Sequence, residues 1–233
     1  MIDFVDTSEQ SPRLENKFVI KDFFNLTPDE AEKLQNEVSN SHGTVQLWVH
    51  THFLDDHHSG SAIHESQDGL EYMDTRKKVI EKASTGKLPV IALLEGDEED
   101  IDRYQEYYSF LNPNLHLYFI RTDEDNPTPV TGENITQQTR WNVFSETLKK
   151  YGITKAILLG RELYHTTPFK PDIISSMNEN KDEVKKFIEN NPEFIQENGE
   201  VVLPLGCVGT TAMQLSIRGI KIKISKVTYP EKA

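Results

Sequence analysis

Six apolar runs of strand length, set among segments with helical periodicity, constrain this chain more than any other feature; they fall at 45–49, 89–94, 115–120, 155–159, 201–205 and 220–224. Helix-period segments occupy 28–40, 70–84, 98–111, 139–151, 181–190 and 208–218. Strand followed by helix, repeated, predicts an α/β fold: a three-layer, mostly parallel, doubly wound (Rossmann-like) sheet with helices on both faces. Most of the runs are near-continuously apolar, as strands buried on both sides must be. Ile220-Lys221-Ile222-Lys223-Ile224 instead alternates with lysine and reads as an edge strand. The first helix carries its own start signal, because Thr27-Pro28-Asp29-Glu30 combines a capping box with proline at the first helical position.

At 233 residues and 36% apolar composition the chain can bury one sizeable core. The expected organisation is a flexible N-terminal arm at 1–16, polar and without a period, followed by a single α/β domain at 17–233 with an insertion at about 161–200. The formal charge of −13 opposes binding to phosphate backbones and anionic lipid, so neither nucleic acid nor membrane is an expected partner. No long apolar stretch and no basic leader segment is present, which points to a soluble cytoplasmic protein. Small-molecule chemistry is the remaining expectation, and a homo-oligomer is compatible with it.

In doubly wound sheets ligands bind beyond the carboxyl ends of the strands. The residues that follow the runs are therefore the candidates: His50, His52, Asp55, Asp56, His57 and His58 after the first, Glu95 and Asp97 after the second, and Arg121 and Asp123 after the third. Arg161 and Glu162 follow the fourth, and Cys207 the fifth. The segment after the first run holds four of the chain's eight histidines within nine residues. His50 and His52, two apart on an extended chain, point to one side, and Asp56 or His57 could complete a site for Zn or another divalent metal. That spacing resembles the His-x-His-x-Asp-His signature of metallo-β-lactamase-like hydrolases, with a longer spacing before the Asp-His pair. Cys207 is the only cysteine, so no internal disulfide exists. It opens a helical segment, where unpaired N–H groups and the helix dipole stabilise a thiolate; a small buried side chain under a tight turn is the alternative reading.

The second half resembles the isochorismatase-like cysteine hydrolases. Asn142-Val-Phe-Ser-Glu-Thr-Leu148, Tyr151-Gly-Ile153 and Ala156-Ile-Leu-Leu-Gly160 are similar to that family's helix, Gly-Ile turn and strand-glycine. Cys207-Val208, Thr211-Ala212 and Gly219 resemble its nucleophile helix, and Cys-Val-x-x-Thr-Ala-x6-Gly is the most specific element. The resemblance implies a thiolate that attacks an amide or nitrile carbon, assisted by an Asp after the first strand and a Lys after the third, with a metal near the Asp in many members. This chain departs from the pattern at three places. His50 stands where the Asp belongs, with Asp55 and Asp56 displaced downstream; Arg121 is the nearest cation after the third run; and 46 residues separate Gly160 from Cys207. Arginine holds charge but does not shuttle a proton at neutral pH.

Three functions from different classes follow. One is a cysteine amidohydrolase with Cys207 as nucleophile, Asp55 or Asp56 as base and Arg121 as charge stabiliser. Another is a catalytically inactive relative that binds a partner or ligand. The third is a metal-dependent hydrolase that uses His50, His52, Asp56 and His57.

Overall fold

The computed structural model describes residues 26–50, 78, 88–94, 116–123, 127–130, 135–160, 163–165, 181–201, 204–225 and 230–231. Helix α1 (Pro28–Asn40) leads into β1 (Thr44–Val49), and β2 (Val90–Leu94) and β3 (Leu117–Arg121) follow. Helix α2 (Gln137–Lys150) then leads to β4 (Lys155–Gly160). Beyond it lie β5 (Leu163–His165), α3 (Lys181–Asn190), β6 (Pro204–Leu205), α4 (Gly206–Ser216), β7 (Lys221–Ile224) and β8 (Pro230–Glu231).

Five strands form one sheet in the order β3-β2-β1-β4-β7, and every pair in it is parallel. The fold is thus three-layer α/β. Parallel register sets side chains of one face abreast: Leu47 stands beside Leu158 on one side and Ile91 on the other, and Ile91 stands beside Tyr118. That face is covered by Leu34 and Val38 of α1, Phe144 and Leu148 of α2, and Val208, Ala212 and Leu215 of α4, all in one buried cluster. Helices α2 and α4 share this face because β3→β4 and β4→β7 are successive crossovers of the same hand and direction. On the opposite face Trp48, Val90, Ala92, Leu94 and Leu159 are buried as well. The indole N–H of Trp48 donates to Gln46 Oε1 at 3.1 Å, which satisfies its one polar atom within the strand.

Helix α1 spans the residues that its capping box predicts: Thr27 Oγ1 accepts from the Glu30 N–H, and the Glu30 carboxylate accepts from the Thr27 N–H at 2.8 Å. Strand β7 pairs with β4 alone, and its two lysines are exposed while Ile222 and Ile224 are half-buried, as an edge strand requires.

One run departs from expectation. Of the run at 201–205, Pro204 and Leu205 form β6 outside the parallel sheet; β6 pairs antiparallel with β5, which pairs parallel with β8, in a separate three-stranded sheet. Proline at 204 and only two paired residues suit a short closing strand, not a central one. The 1–16 arm and the helix-period segment at 98–111 lie outside the described residues, as does all of 70–84 except Lys78.

Candidate functional site

The strand order reverses between β1 and β4, since β2 and β3 lie on one side of β1 and β4 and β7 on the other. This switch point is where open α/β sheets leave a crevice at their carboxyl ends. Three described elements meet there: the end of β1 at His50, the end of β4 at Gly160, and the first turn of α4.

Gly160 sets how closely they meet. It is the last residue paired with β1, opposite Val49. A Cβ built on it would stand 3.0 Å from Val208 Cγ2 and 2.9 Å from the carbonyl carbon of Val49, and closer still to the carbonyl oxygen. Only glycine lets helix α4 and strand β1 approach β4 together at this point. Gly206 does a different job at the other end of the junction. With φ at 77° it takes the left-handed conformation open to glycine, and it turns the chain from β6 into α4 so that Cys207 follows at once. Cys207 therefore sits in the first turn, where backbone N–H groups have no intrahelical acceptor. It is 8% exposed, and its carbonyl accepts from Thr211 Oγ1 at 2.9 Å.

His50 follows β1 and turns toward β2 and β3. Its N–H continues the ladder by donating to Leu93 O at 2.9 Å, but its φ of 50° is left-handed. For a residue with a Cβ that conformation costs on the order of 1 kcal/mol and re-aims the side chain out of the strand's alternation. The imidazole is 1% exposed, and Nε2 lies 3.0 Å from Thr122 Oγ1. Thr122 is itself fixed. Its N–H donates to Leu94 O, and a short antiparallel return, with Asp123 N–H to Thr128 O and Val130 N–H to Arg121 O, folds the chain back beside it. Arg140 of α2 clamps that return by an ion pair with Asp123 at 2.8 Å.

The candidates from sequence are thus placed unequally. The helix that Cys207 opens packs against Gly160 through Val208, whereas His50, which follows β1, carries its imidazole toward β3, where it meets Thr122. Arg121 ends β3, opposite Leu94. Three strand spacings separate β3 from β4, about 14 Å at ~4.8 Å each, so the sheet holds the Arg121 backbone well away from the Cys207 turn. His52, Asp55, Asp56 and His57 lie outside the described residues. Among the described residues no three His, Cys, Asp or Glu side chains are grouped to hold a metal ion. Thr122 was not legible as a site residue in the sequence. The signal for it is the period of two along β3, which puts residue 122 on the same face as Tyr118 and Ile120. No known protein family, curated protein or solved structure matches the chain.

Proposed function

We propose that the protein is a divergent isochorismatase-like hydrolase that cleaves a small amide or related C–N bond with Cys207 as nucleophile. The observation that supports this reading is the junction at Gly160. After β4 the chain makes an excursion and returns through the β5–β6 pair, Tyr164 opposite Leu205 and His165 opposite Pro204. Cys207 then starts the crossover helix to the next parallel strand with Val208 against Gly160. The 46 intervening residues therefore leave the strand-glycine and the cysteine helix adjacent, as a nucleophile at a switch point needs.

In this reading the Cys207 thiol gives its proton to a base, Asp55 or Asp56, and the thiolate adds to the carbonyl carbon. The first-turn N–H groups of α4 stabilise the oxyanion, and the amine leaves with a proton to give a thioester that water hydrolyses. Alkylation of the native protein by iodoacetamide near neutral pH tests it. Modification at Cys207 faster than that of an unstructured cysteine peptide is expected; a thiol that reacts only after denaturation overturns the proposal. A second reading, a ligand-binding relative without turnover, is favoured by His50, which occupies the position of the family's Asp and is already engaged by Thr122. A fast-reacting Cys207 in a protein that hydrolyses no primary amide would select it.

A further inference from the structure

Strand β7 ends the parallel sheet, with β4 on one side and no strand on the other. The N–H groups of Lys221 and Ser225 donate to Thr154 O at 2.9 Å and to Leu158 O at 2.7 Å, so residues 221, 223 and 225 turn their peptide groups toward β4. By the same alternation Ile222 and Ile224 turn their N–H and C=O groups outward, and among the described residues no hydrogen bond reaches them there. That is an open edge, ready to pair with an added strand. On the helix-covered face beside it lies a cavity of about 270 Å³, bounded by Phe187, Phe194, Ile222 and Ile224, with Ala212 of α4 beneath. The rings of Phe187 and Phe194 are 5.2 Å apart at their centroids. This wall is fixed in place: Asn190 Nδ2 donates to Ser216 O at 3.3 Å and Asn191 Nδ2 to Ser216 Oγ at 2.6 Å, which ties the end of α3 to the end of α4. A cavity of about 150 Å³ already takes a benzene ring, so this one has room for an aromatic side chain.

The other face of the same edge is basic. Lys221 and Lys223 alternate with the two isoleucines and are exposed there, and exposed Lys155 of β4 stands beside Lys221 in register. Among the described residues none of these three lysines has an ion-pair partner, in a chain of net charge −13. Lysines on an edge oppose pairing with a like strand, so a second copy of β7 would set lysine against lysine. Carboxylates in those places would be attracted instead. An added strand that suits both faces must therefore alternate as β7 does, with an apolar residue toward the cavity and acidic residues on either side of it toward the lysines.

We propose that β7 is a docking edge for an extended acidic segment of a partner protein, which hydrogen-bonds to Ile222 and Ile224, inserts an aromatic side chain into the cavity and sets its flanking carboxylates against Lys221, Lys223 and Lys155. Backbone pairing supplies the affinity in this mode, and the cavity and the lysines supply the selection. Fluorescence anisotropy of the full chain with a capped, labelled Thr-Glu-Phe-Glu-Val-Glu peptide tests it. Binding should saturate at one site, and replacing the peptide's Phe by Ala, or its glutamates by lysine, should each weaken it by about tenfold or more. N-methylation of one alternate set of peptide amides should abolish binding while the other set tolerates it, since only one set faces the edge. Lys221→Glu combined with Lys223→Glu, both on the surface, should reverse the preference so that the lysine peptide binds more tightly than the acidic one. Equal binding of the two charge forms, indifference to loss of the aromatic ring, tolerance of N-methylation in both sets, or no saturable binding at millimolar concentration would each overturn the proposal. So would self-association of the chain that Lys221→Glu and Lys223→Glu alter and the peptide does not.

Discussion

Gly160→Ala probes the junction on which the functional reading rests. The added methyl would lie 2.9 Å from the carbonyl carbon of Val49 and 3.0 Å from Val208 Cγ2. The second contact is soft, because a valine rotamer or a small shift of α4 relieves it. The first is not, since Val49 and Gly160 are paired in the middle of a five-stranded sheet and the obstruction is backbone. Overpacking of a tight interior costs about 1–3 kcal/mol, and an immovable partner puts this case near 3 kcal/mol. For a chain of this size that is a fall in Tm of roughly 6–12 °C. Gly199→Ala is the internal control. Gly199 has φ 79° with no atom within 4 Å of a built Cβ, so it incurs only the left-handed penalty of about 1 kcal/mol. Urea unfolding followed by circular dichroism should therefore rank G160A below G199A by about 2 kcal/mol. Adding Val208→Ala should fail to rescue G160A, because it removes the soft contact and leaves the hard one. A G160A protein as stable as G199A, or one restored by V208A, would refute the close approach of β1, β4 and α4.

Thr122→Val should cost about 1–3 kcal/mol by leaving the buried imidazole of His50 short of a partner, whereas Thr122→Ser keeps the oxygen and most of the stability; a neutral T122V would show that the 3.0 Å contact contributes nothing. Arg140→Met should lose about 1–2 kcal/mol, and a double-mutant cycle with Asp123→Asn should assign about 1 kcal/mol to the pair; additive losses would remove the clamp from the account. Glu30 is held below the usual carboxylate range by the Thr27 N–H and then the Thr27 hydroxyl. Its contribution is therefore present above the unfolded value and is lost as pH falls through the folded one. The stability gap between wild type and Glu30→Gln, a few tenths of a kcal/mol for so exposed a group, should shrink as pH falls below the ordinary glutamate value; a gap that does not change on acidification would contradict the capping box. If the 50–58 segment holds a metal, elemental analysis of untagged protein should find one equivalent that His52→Ala removes, and metal-free protein indifferent to chelators would exclude that use of the loop.

Where local rules and tertiary packing agree, the sequence was a good guide. Helix α1 starts where its pattern starts because Thr27 and Glu30 satisfy its first N–H groups whatever it packs against. Strands β1, β2 and β4 are apolar on both faces because both faces are covered, and β7 shows lysines because one edge is not. The site was less legible. Cys207 could be placed at a helix start from Gly206 and the pattern that follows. Nothing in a linear reading says that His50 abandons the strand conformation, because the left-handed φ is imposed by neighbours on β2 and β3. Thr122 acquires its role only when β3 is two strands from β1, which is a property of strand order and not of any window of sequence.

The run at 201–205 shows the same limit with a different consequence. Five apolar residues before a helix are the pattern of a central parallel strand, and by periodicity alone β6 cannot be told from one. What decides it is that β4 already occupies the place beside β1, and β7 the place beside β4, so a strand immediately before α4 has no place between them. It pairs instead with β5, which leaves β4 at Gly160. That pairing makes the long connection between Gly160 and Cys207 compatible with the junction, since a closed excursion can lengthen without moving either of its ends. The same closure lays α3 along α4 and creates the cavity beside β7. The 46 residues between Gly160 and Cys207 thus close on themselves and bring Val208, next to Cys207, against Gly160, and the same segment gives α4 a second lined surface.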